Sequence, residues 1–269
     1  MWLRSYSTSL YLFLYAPIAL IMVFAFNAGR SGLAFQCCSV QWFGSAFGNP
    51  FIMEALGHSA FIAFTSAIIA TLFGTLAVFG LRRCGPKVRM LFEAFTYCAI
   101  IIPGIVIGIS TLIAFISLFD LVNPWLAHWL PQLPRLEMGF ATVIAAHSLF
   151  TMALVMIIVR TRVDALDPAL QEASADLYAP PLETFRRVIL PQITPAIMAG
   201  FLLAFTFSFD DFIIAFFVAG PETTLPIYIF SSIRRGVTPE INALSTVIIC
   251  ASMALLFTSR YLQNRRAGA

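Results

Sequence analysis

Six stretches of this chain, at 9–27, 58–81, 91–119, 138–159, 193–219 and 241–259, are long and apolar enough to cross a bilayer. A crossing helix needs roughly 20 mostly apolar residues. In hydrocarbon every backbone N–H and C=O must find a partner inside the segment, and runs of this length far exceed a core strand. Each is therefore predicted as a helix. A soluble exterior could not be built from what remains: 60% of the residues are hydrophobic and 11% charged, against roughly 45–50% and about 25% in soluble domains. The expectation is an all-α integral membrane protein with six transmembrane helices in a single domain over residues 1–269.

The basic residues give the chain an orientation. With the N-terminus inside, the inner segments hold Arg4, Arg82, Arg83, Lys87, Arg89, Arg160, Arg162, Arg186, Arg187, Arg260, Arg265 and Arg266. The outer segments hold only Arg30, Arg135, Arg234 and Arg235. Lys and Arg accumulate on the cytoplasmic side, so both termini are predicted to be cytoplasmic. The net charge of +3 is small and the basic residues lie in short loops rather than along one stripe, which positive-inside topology explains better than a nucleic-acid partner; none is expected. The N-terminus runs from Met1-Trp2-Leu3-Arg4 straight into an apolar segment with no small-residue cleavage site, and reads as a retained signal anchor.

Several local features qualify this plan. Ile102-Pro103-Gly104 predicts a kink or break in the third span. Trp125 and Trp129, read as part of an outer loop, are expected to anchor at the headgroups. Leu225-Pro226-Ile227-Tyr228-Ile229-Phe230 is too short to cross and is expected on the outer face or as a shallow re-entrant piece. The five cysteines have no metal-ligand spacing. Cys37 and Cys38 are adjacent and poorly placed to bridge each other, and all five are expected to be small hydrophobes or free thiols.

The longest inner connection, 160–192, is predicted to form a helix–turn–helix. Asp167-Pro168 reads as an N-cap followed by proline at the first helical position. Leu166, Leu170, Ala173 and Leu177 share one face of the first short helix, and Glu172 and Asp176 another. Pro180 marks its end. A second short helix is expected from Leu182 to Leu190, displaying Arg186 and Arg187, before Pro191 opens the fifth span.

Glu172-Ala173-Ser174, followed by Val188, Leu190 and Pro191 at the matching intervals, resembles the EAA loop of ABC importer permeases. Tyr178 stands where that pattern has glycine, so tyrosine and Pro180-Pro181 are expected to make the turn differently. The resemblance implies a type I importer-like permease bundle in the bacterial inner membrane. It implies that Glu172, Ala173, Ser174, Asp176, Tyr178, Ala179, Leu190 and Pro191 form the element that couples to a cytoplasmic ATPase. It also implies an ATPase dimer, a second permease subunit and an extracytoplasmic solute-binding protein as partners, with lipid around the helices. The chain has no G-x-x-x-x-G-K-[ST] phosphate loop, so ATP and magnesium would belong to the partner and no cofactor to this chain.

Asp210 and Asp211 lie at membrane depth in the fifth span, about 25 Å along the helix from Ile193. Ionisable groups there cost about 2.5–3.5 kcal/mol on insertion scales and normally face a bundle interior or an aqueous path. With Phe209 and Phe212 they would suit an ammonium group, by charge and cation–π attraction. Alternatively, the span ends near Phe209 and the pair marks the outer interface. Successive helical residues differ by about 100°, so one acid could line a path while the other caps or pairs. Ser208-Phe209-Asp210-Asp211-Phe212 and Gly236-Val237-Thr238-Pro239-Glu240 look like spermidine/putrescine-type permeases, which implies a polyamine as solute. His147 and Glu93 are expected to be hydrogen-bonded packing residues.

The other readings are an ABC permease for a different solute, a self-sufficient secondary carrier or channel for a small cation, and a membrane enzyme. The sequence shows one interrupted span rather than the matched pair a carrier would have. It also lacks H-E-x-x-H or a nucleophile–base pairing, so a non-enzymatic transport subunit is expected.

Overall fold

The computed structural model of the chain describes residues 2–29, 34–236, 238–250 and 253. Its helices are α1 (Trp2–Phe24), α2 (Gln41–Gly48), α3 (Pro50–Arg82), α4 (Pro86–Ile101), α5 (Gly104–Trp129) and α6 (Phe140–Asp164). There follow α7 (Ala169–Asp176), α8 (Pro181–Thr184), α9 (Leu190–Asp210), α10 (Ile213–Val218), α11 (Leu225–Arg235) and α12 (Pro239–Cys250). Among the described residues five helical segments are long and apolar enough to cross a membrane: Arg4–Phe24, Pro50–Arg82, Gly104–Trp129, Phe140–Asp164 and Pro181–Asp210. The sixth expected span, 241–259, begins within α12, and most of its second half lies outside the described residues.

The chain forms two compact units, Met1–Ala55 with Tyr228–Ala269, and Leu56–Ile227. In the first, fully buried Asn27 organises the segment after α1. Its side chain donates to Ala34 O (2.9 Å) and accepts from Gln36 N, while Trp42 Nε1 donates to its carbonyl at 2.6 Å. Cys37 and Cys38 are joined by a vicinal disulfide across a cis peptide bond, which corrects the free-thiol expectation.

The second unit is built around α6, which packs on α9, α4 and α10, while α10 also packs on α5. Lipid is as apolar as leucine, so helices associate in it by close van der Waals approach over small residues. Val155 of α6 is fully buried between two glycines: a Cβ on Gly74 of α3 would lie 3.2 Å from it, and one on Gly200 of α9 3.3 Å. A second cluster joins Val143 and Ala146 of α6 to Ile214, Ala215 and Val218 of α10.

Among the described residues two spans are interrupted. The third breaks at Ile102-Pro103 as its sequence suggested, with both residues in extended or polyproline-like conformation. Its second half continues to Trp129, beyond the expected end at 119, so Pro124 and both tryptophans sit inside α5 rather than in a loop. Asn123 clamps the returning chain through paired bonds to Leu136 N and O, at 2.8 and 3.1 Å. The fifth span, expected over 193–219, breaks at Asp211-Phe212, close to the alternative end near Phe209 that its sequence offered. The two breaks adjoin: a Cβ on Gly104, the first residue of α5, would lie 3.9 Å from Ile213, the first of α10.

The 160–192 connection holds α7 and α8 as a helix–turn–helix, with two corrections. Asp167 Oδ1 accepts from Ala169 N at 3.0 Å and Pro168 is helical, as an N-cap and N1 pair should be. Tyr178, however, adopts φ 57°, the left-handed conformation that glycine takes freely. Tyr178 N donates to Ala175 O (2.9 Å) and Ala179 N to Ser174 O (3.1 Å), which is a Schellman cap. The turn is therefore the one glycine would make, held by a strained tyrosine, and is not a different one. The second short helix is likewise not separate. After one turn of α8, a π-helical turn (Phe185–Ile189) runs directly into α9. Proline in a helix removes an N–H and crowds the carbonyl four residues back, and the wider turn accommodates Pro191 without a break.

Tyr178→Gly is expected to tighten this cap by about 0.5–1 kcal/mol, the left-handed penalty net of the glycine's added unfolded-state entropy. Slower exchange of the amide hydrogens at 175–179 would report it, and unchanged or faster exchange would contradict the strain.

Candidate functional sites: a projecting turn and a broken span

At the projecting turn, Glu172, Ala173, Asp176 and Tyr178 are exposed and Ala179 is partly so. Ser174 is not displayed: it is buried, and its Oγ meets Thr184 Oγ1 at 2.8 Å, pinning α7 to α8. Leu190 packs on the α3–α6–α9 core, and Pro191 lies exposed in the first turn of α9. The turn presents an apolar rim, with Leu177, Tyr178 and Leu182 at 81%, 96% and 77% exposure, beside the carboxylates of Glu172 and Asp176. It is mounted stiffly. Phe185 stacks edge-on against Phe79 of α3 at 5.3 Å, Arg162 Nε donates to Gln192 O at 3.0 Å, and α8 is continuous with α9.

At the broken span, the two acids have different environments. Asp211 is extended, φ −70° and ψ 120°, and its Oδ2 accepts from Ala215 N at 3.0 Å, satisfying one of the free N–H groups at the start of α10. The same oxygen lies 3.3 Å from Nε2 of buried His147, an electrostatic contact without hydrogen-bond alignment. His147 Nδ1 in turn meets Ser208 Oγ of α9 at 2.8 Å. The row Ser208–His147–Asp211 thus ties both ends of the break to α6, and His147 is a packing residue with partners. Neither Ser208 nor the Ala215 amide could be singled out from sequence, because the packing of α9 on α6 brings Ser208 to His147 and the break brings the Ala215 amide to Asp211.

Asp210, the last residue of α9, is exposed on a cavity of about 440 Å³ lined by Thr206, Phe207, Asp211, Phe212 and Ile213. Phe212 therefore shares the acids' cavity. Phe209 does not line it and stacks on Phe205 at 5.9 Å. A carboxylate beside aromatic faces can attract an organic cation. Among the described residues no group of three or more His, Cys, Asp or Glu side chains is placed to hold a metal ion.

These features agree with what the chain is similar to. Residues 70–265 match the family described as binding-protein-dependent transport system inner membrane component. The chain is 38% identical over 255 residues to the putrescine transport system permease protein PotI of Escherichia coli K12, covering 94% of this chain and 87% of that one. It is 33% identical over 256 residues to the spermidine/putrescine transport system permease protein PotC of Haemophilus influenzae, covering 95% and 93%. In fold it resembles a chain of a bacterial alginate ABC transporter, solved in complex with an alginate pentasaccharide-bound periplasmic protein. That likeness has a TM-score of 0.70 at 16% identity, over 95% of this chain and 91% of the other. The second interrupted span removes one sequence-level objection to a self-sufficient carrier, but the family match runs through both breaks. The chain belongs to the binding-protein-dependent transport system inner membrane components, as a multi-pass permease subunit of an ABC importer.

Proposed function

We propose that this permease carries a polyamine inward, driven by ATP that a separate cytoplasmic ATPase dimer hydrolyses. The observation that carries the reading is the rigid continuity from the projecting turn, through the π-helical turn, to the break at Asp210 and Asp211. A push on Tyr178 or Glu172 would be delivered along one helical segment, Pro181–Asp210, to the acids at its other end. The exposed rim of Leu177, Tyr178 and Leu182 with Glu172 and Asp176 suits a protein groove rather than water alone. The excess of Lys and Arg at that end supports a cytoplasmic position for the turn and for both termini.

A second permease would complete the path and an extracytoplasmic protein would deliver the solute. Polyamine is favoured by the names of the relatives at 38% and 33% identity, and by a carboxylate on an aromatic-lined cavity. Within the path the acids divide their work. Asp210 meets the ammonium groups, and Asp211, occupied by His147 and the Ala215 amide, holds the break open.

Two outcomes test this. Glu172→Lys should insert normally yet fail to co-purify with the ATPase and lose about tenfold or more of uptake, since a misplaced interface charge costs several kcal/mol. Co-purification and uptake at the unmodified level would refute the docking role. Asp210→Asn should cut maximal putrescine uptake about tenfold, the worth of one charge-assisted contact, with little change in the half-saturating concentration that the binding protein sets. Asp211→Asn should instead lower the yield of folded protein. Equal, small effects of the two would contradict the division of roles.

A further inference from the structure

A group of charged side chains outside both sites links the base of the projecting connection to α4. Arg160 of α6 reaches Glu93 of α4 through Nη1 (2.8 Å) and Asp164 through Nε (3.3 Å). Arg89 Nε shares Glu93 Oε1 at 2.9 Å. Arg82, at the end of α3, meets Asp164 at 3.0 Å and the Val163 carbonyl at 3.1 Å. These side chains are 27–43% exposed on a cavity of about 480 Å³ that also touches Tyr97 and Thr96.

Stability alone does not account for the arrangement. Exposed ion pairs are worth about 0–1 kcal/mol each. What the arrangement fixes is position. α4 has no buried residue, and a single guanidinium at its contact with α6 spans two carboxylates at once, a geometry a lysine ammonium cannot reproduce. Asp164 closes α6 three residues before Asp167, the cap of α7. At its far end α4 passes through Ile102-Pro103 into α5, which lies on α10: a Cβ on Gly108 would come 2.7 Å from the Phe217 ring. The acids' break is thus reached by two routes from the same base, one through α8 and α9 and one through Arg160, α4 and α5.

We propose that Arg160 and Glu93 are positioning residues for transport, forming an ionic link that makes α4 and α5 move with the connection when the ATPase closes. This rests on reading 160–192 as an ATPase-driven lever. The link lets the two interrupted helices flanking Asp210 move together, so that the break changes shape as a unit.

The test uses the assembly with its ATPase and is independent of the solute. Cysteine is placed in α4 by Tyr97→Cys in an otherwise cysteine-free chain, and its rate of reaction with a maleimide is compared before and after trapping with ATP and vanadate. Trapping is expected to change that rate about fivefold, within the range of coupling energies carried by linked side chains. Arg160→Gln and Glu93→Gln should each abolish the change while ATPase retention and vanadate trapping persist, and the double variant should do no more than either single one. Arg160→Lys, which keeps the charge and is the milder change for folding, should lose most of it. A change that survives Arg160→Gln, or that is absent from the Tyr97→Cys parent despite trapping, overturns the link. So do single-variant effects that add in the double. An unmodified assembly that retains no ATPase overturns the lever reading itself, and the Glu172→Lys comparison separates that failure from the first.

Discussion

Backbone hydrogen bonding inside hydrocarbon is the constraint on which the rest of this structure depends. A continuous helix satisfies it for nothing, and an interrupted one leaves N–H and C=O groups that protein must supply with partners. The described residues hold two interruptions, placed against each other at Gly104 and Ile213. The second is closed by an acid: Asp211 bonds the Ala215 amide and faces His147, which reaches Ser208 on the other side of the gap. Once the break is held in this way, the neighbouring Asp210 is left on a cavity at the end of a long, stiff helix.

Stiffness at the opposite end has the same origin. Pro191 ought to separate the projecting turn from the fifth span, and a π-helical turn absorbs it instead. Tyr178 ought to be glycine, and the chain bears the cost of a left-handed tyrosine to keep the Schellman turn. The π-helical turn keeps the segment from Pro181 to Asp210 continuous, and the Schellman cap joins α7 to its start. A flexible joint at either place would dissipate any displacement before it reached the acids.

The helices, the break at Pro103 and the helix–turn–helix were legible because they rest on local signals: apolar run length, proline, an Asp-Pro cap. The break at Asp211 was legible only as an alternative end near Phe209, since Phe209–Phe212 carries no proline or glycine and the partners His147 and Ala215 are what hold an extended Asp211. The vicinal disulfide and the buried Ser174–Thr184 contact were hidden for the same reason: each depends on backbone placement that no spacing rule encodes. Of the proposed path residues, sequence grouped Phe209 with the acids by adjacency, whereas the structure puts Phe207 and Phe212 on the cavity and Phe209 against Phe205. Glu93 and Arg160 are 67 positions apart in the chain, which is why their pairing emerged only from the fold.

The central claim is that the Tyr178 turn is gripped from inside by an ATP-hydrolysing partner. Its most direct test is photocross-linking in intact cells from a benzophenone amino acid at position 178, where the side chain is 96% exposed and its replacement disturbs no packing. The account expects one dominant adduct, joining this chain to an ATP-binding cytoplasmic subunit. Adducts confined to lipid, or to a protein on the outer face of the membrane, would contradict it.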